Sequence, residues 1–165
     1  MDVPNPTVIN NNIQQITMSA WVKTTDTGYN HILSRGASWT DGNTILYTDG
    51  STEYRFTIYG YTSPAQSGVA PSGNWQHVVG VYDGTQTSNN MKIYVDGVLK
   101  GTGTANLGTL ANRTDSFRIA NRNDSLLSGQ IDDVRIFNYA LTPLQIKTLY
   151  NQGAAVQFAP ITGSP

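Results

Sequence analysis

Residues 91–102 read MKIYVDGVLKGT, and this stretch decides the fold class. Asp96-Gly97 lies between two β-rich flanks and supplies the positive φ angles of a two-residue type I′ turn, so a tight antiparallel hairpin is predicted here. Working outward, the segment from Trp75 to Tyr82 alternates, with Trp75, His77, Val79 and Val81 facing one way, and it ends at Asp83-Gly84. Residues 16–23, ITMSAWVK, place Ile16, Met18, Ala20 and Val22 on one face and Thr17, Ser19, Trp21 and Lys23 on the other. Period two over this length is a strand.

Short β-rich runs at His31 to Ser34, Thr44 to Thr48 and Tyr54 to Tyr59 are separated by Gly, Asp and Ser clusters and read as a meander. Further strands are predicted at Ser116 to Ala120 and Gln130 to Phe137. The parity of the last one is broken, since Ile131 is odd while Val134 and Ile136 are even, and a β-bulge at Asp132-Asp133 would turn all three inward. A helix is predicted from Thr142-Pro143, a hydroxyl N-cap followed by proline at the first helical position, to about Asn151, with Gly153 as its stop. About ten strands and one short helix give an all-β protein, a two-sheet antiparallel sandwich with a short C-terminal helix, whose sheet order the pattern alone leaves open. The domain is expected over 1–153, with 154–165 a tail or linker.

The chain has 165 residues, no cysteine and a formal net charge of -1. That length suits one domain with an adequate core. A disulfide framework, a thiolate metal site and a cysteine nucleophile are excluded. The near-zero charge gives no footprint for nucleic acid or anionic lipid, and no apolar run is long enough for membrane insertion. Only 13% of residues are charged, about half the usual share, and Thr, Ser, Asn, Gln and Gly replace them. That composition suits an extracellular or cell-surface protein, whose export signal is expected upstream of Met1.

Four ordered stretches, ITMSAWVK, NWQHVVGVYDG, MKIYVDGVLKGTG and GQIDDVRIFNYALTPLQIKTLY, resemble the laminin G-like jellyroll family of the concanavalin A-like lectin/glucanase superfamily, broad relatives of legume lectins and pentraxins. The resemblance implies a two-sheet antiparallel jellyroll sandwich, a fold that hosts many functions. It also implies that strands which usually open the domain are absent. The sheet edge left uncovered is expected to take a partner chain, giving an oligomer, or the Val156 to Phe158 tail segment.

Hydrolytic members of the superfamily carry several acidic residues in alternation on one strand, because a glycosidase needs a paired acid and nucleophile. Glu53 is the only glutamate and has no carboxylate at strand spacing, so no enzyme is expected. His31 and His77 have no sequence partner that suggests a triad or a zinc site and are read as structural.

Asp41-Gly42-Asn43 and Asn121-Arg122-Asn123-Asp124 are oxygen-rich loops of the kind calcium uses, and equally of the kind turns use. The pentraxin resemblance implies calcium at Asp41, Asn43, Asn123 and Asp124, although Arg122 stands where pentraxins place a glutamate. The laminin G-like resemblance implies a structural calcium at Asp132 and Asp133, for which pairing of one aspartate with Arg135 is the alternative. Trp39, Tyr47, Tyr54, Tyr59 and Tyr61 cluster in the first half of the chain, and flat rings beside amides suit sugar. Trp39, Tyr47, Tyr59 and Arg122 are the expected ligand-binding residues, while Trp21, Trp75 and Phe56 are read as core. The function expected is a non-catalytic, calcium-assisted carbohydrate-binding module that takes a glycan or cell-surface ligand. The alternative is an adhesion or spacer domain recognising protein or no ligand.

Overall fold

A computed structural model describes residues 1–3, 12–26, 28–36, 43–50, 53–58, 60, 63–110, 112, 116–122 and 125–155. One sheet contains β2 (Gln15–Thr24), β7 (Trp75–Asp83), β8 (Met91–Val95), β9 (Val98–Gly103) and β13 (Gly129–Phe137), in the order β13-β2-β7-β8-β9. The other contains β1 (Asp2–Val3), β3 (Asn30–Arg35), β4 (Thr44–Asp49), β5 (Glu53–Ile58), β6 (Ala65–Gln66) and β10 (Phe117–Ile119), in the order β1-β10-β3-β4-β5-β6. A small ladder joins β11 (Asn121–Arg122) to β12 (Ser125–Leu126), and α1 spans Pro143–Ala155. Every strand pair is antiparallel, as the jellyroll reading requires. Among the described residues no helix is long and apolar enough to cross a membrane.

The hairpin forms where the sequence places it. Val95 pairs with Val98, and Asp96 and Gly97 turn at φ 52° and 74°. Asp96 has a second task, since its Oδ1 accepts the His77 amide at 2.9 Å and ties the turn to the start of β7.

Between the sheets, Ile16, Met18, Ala20 and Val22 of β2 meet Leu46, Phe56 and Ile58 of the opposite sheet, all fully buried. Phe56 lies directly over Gly80, so closely that a β-carbon at position 80 would overlap the ring. On the other face of β2, Thr17 and Ser19 are buried as well, because the chain after β13 lies across them. Thr17 Oγ1 donates to the Tyr139 carbonyl at 2.8 Å and accepts the Leu141 amide at 3.0 Å. Ile146 of α1 then packs with Val79, Val81, Tyr94 and Leu141 in a second apolar cluster on that outer face.

The helix begins as predicted. Thr142 Oγ1 accepts the Gln145 amide at 3.3 Å, and Gln145 Oε1 accepts the Thr142 amide at 2.8 Å. This reciprocal pair is a capping box. The helix runs past Asn151 and through Gly153 to Ala155. A single helical glycine costs only about 1 kcal/mol, and the two alanines that follow are the best helix formers.

Trp75 is also corrected, because it is 36% exposed. Tyr150 and Ile146 cover the outer face at His77, Val79 and Val81, but Trp75 lies two residues farther toward the start of β7. Phe56 is core as expected, whereas Trp21 is half-buried against α1 rather than between the sheets.

Candidate functional site

The six-stranded sheet turns one face to the core and the other outward. Leu33, Leu46, Phe56 and Ala65 form one cross-strand row in the core. The neighbouring row, His31, Tyr47, Arg55 and Gln66, therefore lies on the outer face. Asp49 pairs with Glu53 one step farther along. Two residues of strand spacing thus bring Asp49, Glu53 and Arg55 to one place.

Arg55 binds both carboxylates. Its Nη2 lies 2.6 Å from Asp49 Oδ2 and 2.8 Å from Glu53 Oε1, and its Nε donates to the same Glu53 oxygen at 2.8 Å. Glu53 Oε2 accepts the Gly68 amide at 2.7 Å, which fixes the clamp to the loop after β6. Burial alone would lower the Arg55 pKa, but the hydrogen bond to Glu53 and the two negative charges outweigh it and raise it. Tyr47 is buried, and burial pushes its hydroxyl up to about 12 despite the facing Arg55 charge and hydrogen bond. Tyr29 hydrogen-bonds Asp49, which raises the Tyr29 pKa, yet its ring is 52% exposed and lies against Gly50. The result is an exposed aromatic face beside a guanidinium, two carboxylates and a second phenol. Ring stacking and hydroxyl recognition need those groups together.

Of the expected ligand-binding residues, Tyr47 is in this group, one row from the carboxylates. Trp39 and Tyr59 lie outside the described residues, as does the side chain of Arg122. Tyr29, Asp49 and Arg55 were missed. The only sequence signal was the spacing of Arg55 two residues after Glu53, on one strand face, and the approach of Asp49 to both depends on strand register. The view that Glu53 has no carboxylate near it is corrected, since Asp49 reaches it across the turn rather than along one strand.

Asp41, Asn123 and Asp124 of the expected calcium loops lie outside the described residues. Asn43 is fully buried, with its carboxamide packed against the α-carbon of Gly36, which adopts φ 108°. At Asp132-Asp133 the ladder of β13 with β2 shifts register, and Asp133 takes φ 46°. Ile131, Val134 and Ile136 all pack on the core as a bulge dictates. Asp133 Oδ1 accepts from Arg135 Nε at 2.8 Å, while Asp132 is exposed. Among the described residues no three His, Asp or Glu side chains converge as a metal-holding set.

His77 contacts Ser19 on the outer face of the five-stranded sheet, with Nε2 2.8 Å from Ser19 Oγ. A nucleophile and base meet at this distance in hydrolases. Here both are buried beneath Trp21 and Tyr150, and His77 Nδ1 has no carboxylate to orient it. Burial lowers the His77 pKa to about 4, so the ring is neutral at pH 7. The pair fastens β2 to β7.

Solved structures share this architecture. Domain 4 of AbnA, a GH43 extracellular arabinanase from Geobacillus stearothermophilus, solved in complex with arabinotriose, is 25% identical with a TM-score of 0.66, over 90% of this chain and 72% of that one. The native heptameric SAP-like pentraxin from Limulus polyphemus is 18% identical with a TM-score of 0.64, over 91% and 72%. The CBM40 of the Ruminococcus gnavus IT-sialidase, bound to α2,3-sialyllactose, is 15% identical with a TM-score of 0.65, over 84% of each chain. No curated protein sequence matches significantly. The family model Laminin_G_3 matches residues 1–147, so the chain belongs to the concanavalin A-like lectin/glucanases superfamily through its laminin G-like branch.

Proposed function

We propose that this chain is a non-catalytic carbohydrate-binding module that works outside the cell or at its surface. The observation that carries the reading is the Arg55 clamp beside the half-exposed ring of Tyr29. A sugar ring has an apolar face for stacking and hydroxyls that both donate and accept. Glu53 accepts and Arg55 donates at the surface, while buried Asp49 pairs with Arg55 from beneath and holds the guanidinium in place before a ligand arrives. Trp39, Tyr59 and Arg122 belong to the same proposal as aromatic and cationic contacts.

The clamp also argues against hydrolysis. A glycosidase sets its two carboxyl groups on either side of the scissile bond and keeps one protonated. Here one guanidinium stands between the two carboxylates and touches both. The arabinotriose-bound relative, at 25% identity, supports a short neutral oligosaccharide as ligand.

Arabinotriose titration by calorimetry, alongside a glycan array, tests the reading. Tyr29→Ala removes an exposed ring and should leave the fold intact by circular dichroism while weakening binding at least tenfold. Trp39→Ala and Arg122→Ala extend the test to the other proposed contacts. A blank array, or binding unchanged by Tyr29→Ala, overturns this assignment, and a blank array favours the adhesion or spacer role.

Calcium forms a separate part of the proposal, with Asp41, Asn43, Asn123 and Asp124 as one oxygen donor set and Asp132 with Asp133 as another. The support is their chemistry, since carboxylates and amides on loops are hard donors.

A further inference from the structure

A cleft of about 450 Å³ opens at one end of the five-stranded sheet, where the start of β2 meets the ends of β7 and β13. Its walls carry the amides and hydroxyls of Asn12, Gln14, Gln15, Thr85, Thr109 and Asn138 with Ile13 as the one apolar side chain, and none of these residues is charged. The volume lies within the range of small-ligand sites. The Arg55 clamp lies toward the other end, because Tyr54, next to Arg55, hydrogen-bonds Gln76 near the start of β7. The ten residues of β2 separate the two ends by roughly 30 Å.

The cleft is built before any ligand arrives. The Gly84 amide donates to the Gln14 carbonyl at 2.8 Å, the Leu110 amide to the Ile13 carbonyl at 2.8 Å, and the Asn12 amide to Asn112 Oδ1 at 2.6 Å. Gly84 fits because it has no side chain, as a β-carbon there would overlap the Gly108 carbonyl. Three separate stretches of chain are thereby stitched into one wall.

Asp83 lies behind this wall and sets its polarity. Its Oδ1 accepts from Gln15 Nε2 at 2.8 Å and from Thr85 Oγ1 at 2.7 Å. Burial alone would raise its pKa, but these hydrogen bonds outweigh that and keep it below the usual range. Gln15 thereby keeps its carbonyl oxygen and one N–H for other partners, while Thr85, whose Oγ1 also accepts from Gln86 Nε2 at 3.4 Å, keeps one lone pair. The side chains of Gln14, Thr109 and Asn138 make no hydrogen bond within the described residues and can donate or accept.

The geometry points to a second ligand site in this cleft, for a neutral, hydroxyl-rich molecule of the saccharide class. Fixed acceptors meet hydroxyl donors, adaptable amides meet the ring and glycosidic oxygens, and the uncharged lining rejects anions and cations alike. Two sites at opposite ends would let one molecule bridge two glycan chains or bind one chain with avidity. The inference uses no residue of the Arg55 face and stands or falls separately from it.

The test is an amide-resolved NMR titration of the full chain with arabinotriose, xylotriose and cellotriose in turn, up to millimolar concentration. Saturable shifts are expected at Gly84, Thr85 and the side-chain amides of Gln14 and Asn138 with at least one trisaccharide. They should persist in Tyr29→Ala, which addresses only the other face. They should weaken at least tenfold in the Gln14→Ala/Asn138→Ala double variant, whose exposed positions leave the fold intact. Shifts confined to residues around Tyr29 and Arg55 would leave the first site standing and overturn the second. Cleft shifts unchanged in the double variant, or absent with all three sugars, overturn it as well.

Discussion

Tyr150 of α1 stacks on Trp21 of β2, with ring centroids 5.6 Å apart and planes inclined by 23°. His77 sits beside both, 5.3 Å from Trp21 and 6.1 Å from Tyr150. The helix is therefore anchored at its far end by three rings and near its start by Ile146.

Replacing Tyr150 by alanine should detach the last turns of α1 without unfolding the sandwich. An aromatic pair of this kind is worth about 1 kcal/mol beyond its buried area, so a loss of roughly 1–3 kcal/mol is expected. Trp21 fluorescence should shift to the red. An unshifted spectrum and unchanged urea midpoint would show that the stack contributes nothing.

His77 makes stability depend on pH. Its folded pKa is about 4, chiefly from burial, with Asp133 raising it and Arg135 lowering it, while the unfolded chain titrates near 6.5. Between these values the unfolded state carries a proton that the folded state refuses. Stability is then fully present above about pH 6.5, falls as pH drops toward 4, and gains no further loss from this group below that. The expected change is on the order of 3 kcal/mol. Urea denaturation across pH 7 to 5 checks it, and His77→Gln should flatten the slope.

Two glycines should tolerate alanine very differently. At Gly80 the new methyl meets the Phe56 ring, in the center of a packed core where overpacking costs roughly 1–3 kcal/mol or more. At Gly97 the strain is conformational, since φ is 74° and the Tyr150 ring lies 3.2 Å from an added β-carbon. A loss of about 1–2 kcal/mol is expected there. Thermal melts of both variants should show Gly80→Ala to be the worse, and the reverse order would mean that the core relaxes around the methyl.

Chelation should lower the melting temperature in proportion to any calcium held by the folded state alone. Asp41→Ala and Asp124→Ala should each abolish the chelator effect. If both keep it, the ion sits elsewhere, and Asp132→Ala with Asp133→Ala become the next variants to measure.

Hydrolysis of arabinan by the purified chain should be undetectable, in Glu53→Gln as in the parent. Turnover that disappears on this substitution would refute the binding-module reading, because it would make Glu53 a catalytic acid.

The strands, the hairpin and the helix start were legible because each is written in local chemistry. Asp96-Gly97 can turn only one way between β-branched flanks, and Thr142-Pro143 satisfies or removes orphan amides at once. The bulge at Asp132-Asp133 was readable from parity alone. The Arg55 clamp was not, because it depends on register. Nothing local says that Asp49 faces Glu53, and only the turn between them decides it. Likewise the burial of Ser19 and the exposure of Trp75 follow from where α1 comes to rest, which no period along β2 or β7 encodes.

The position of β2 between β7 and β13 governs how this chain must fold in time. Ser19 finds His77 only after 58 more residues, and Thr24 Oγ1 finds the Ser128 carbonyl only after 104. The Met1 amino group reaches the Ile119 carbonyl across 118. A chain emerging in order thus carries an apolar strand with one flank open until β13 is made. Closure of such wide loops puts refolding in the millisecond-to-second range typical of all-β sandwiches. During that interval β2 is the segment most exposed to pairing with the wrong neighbour.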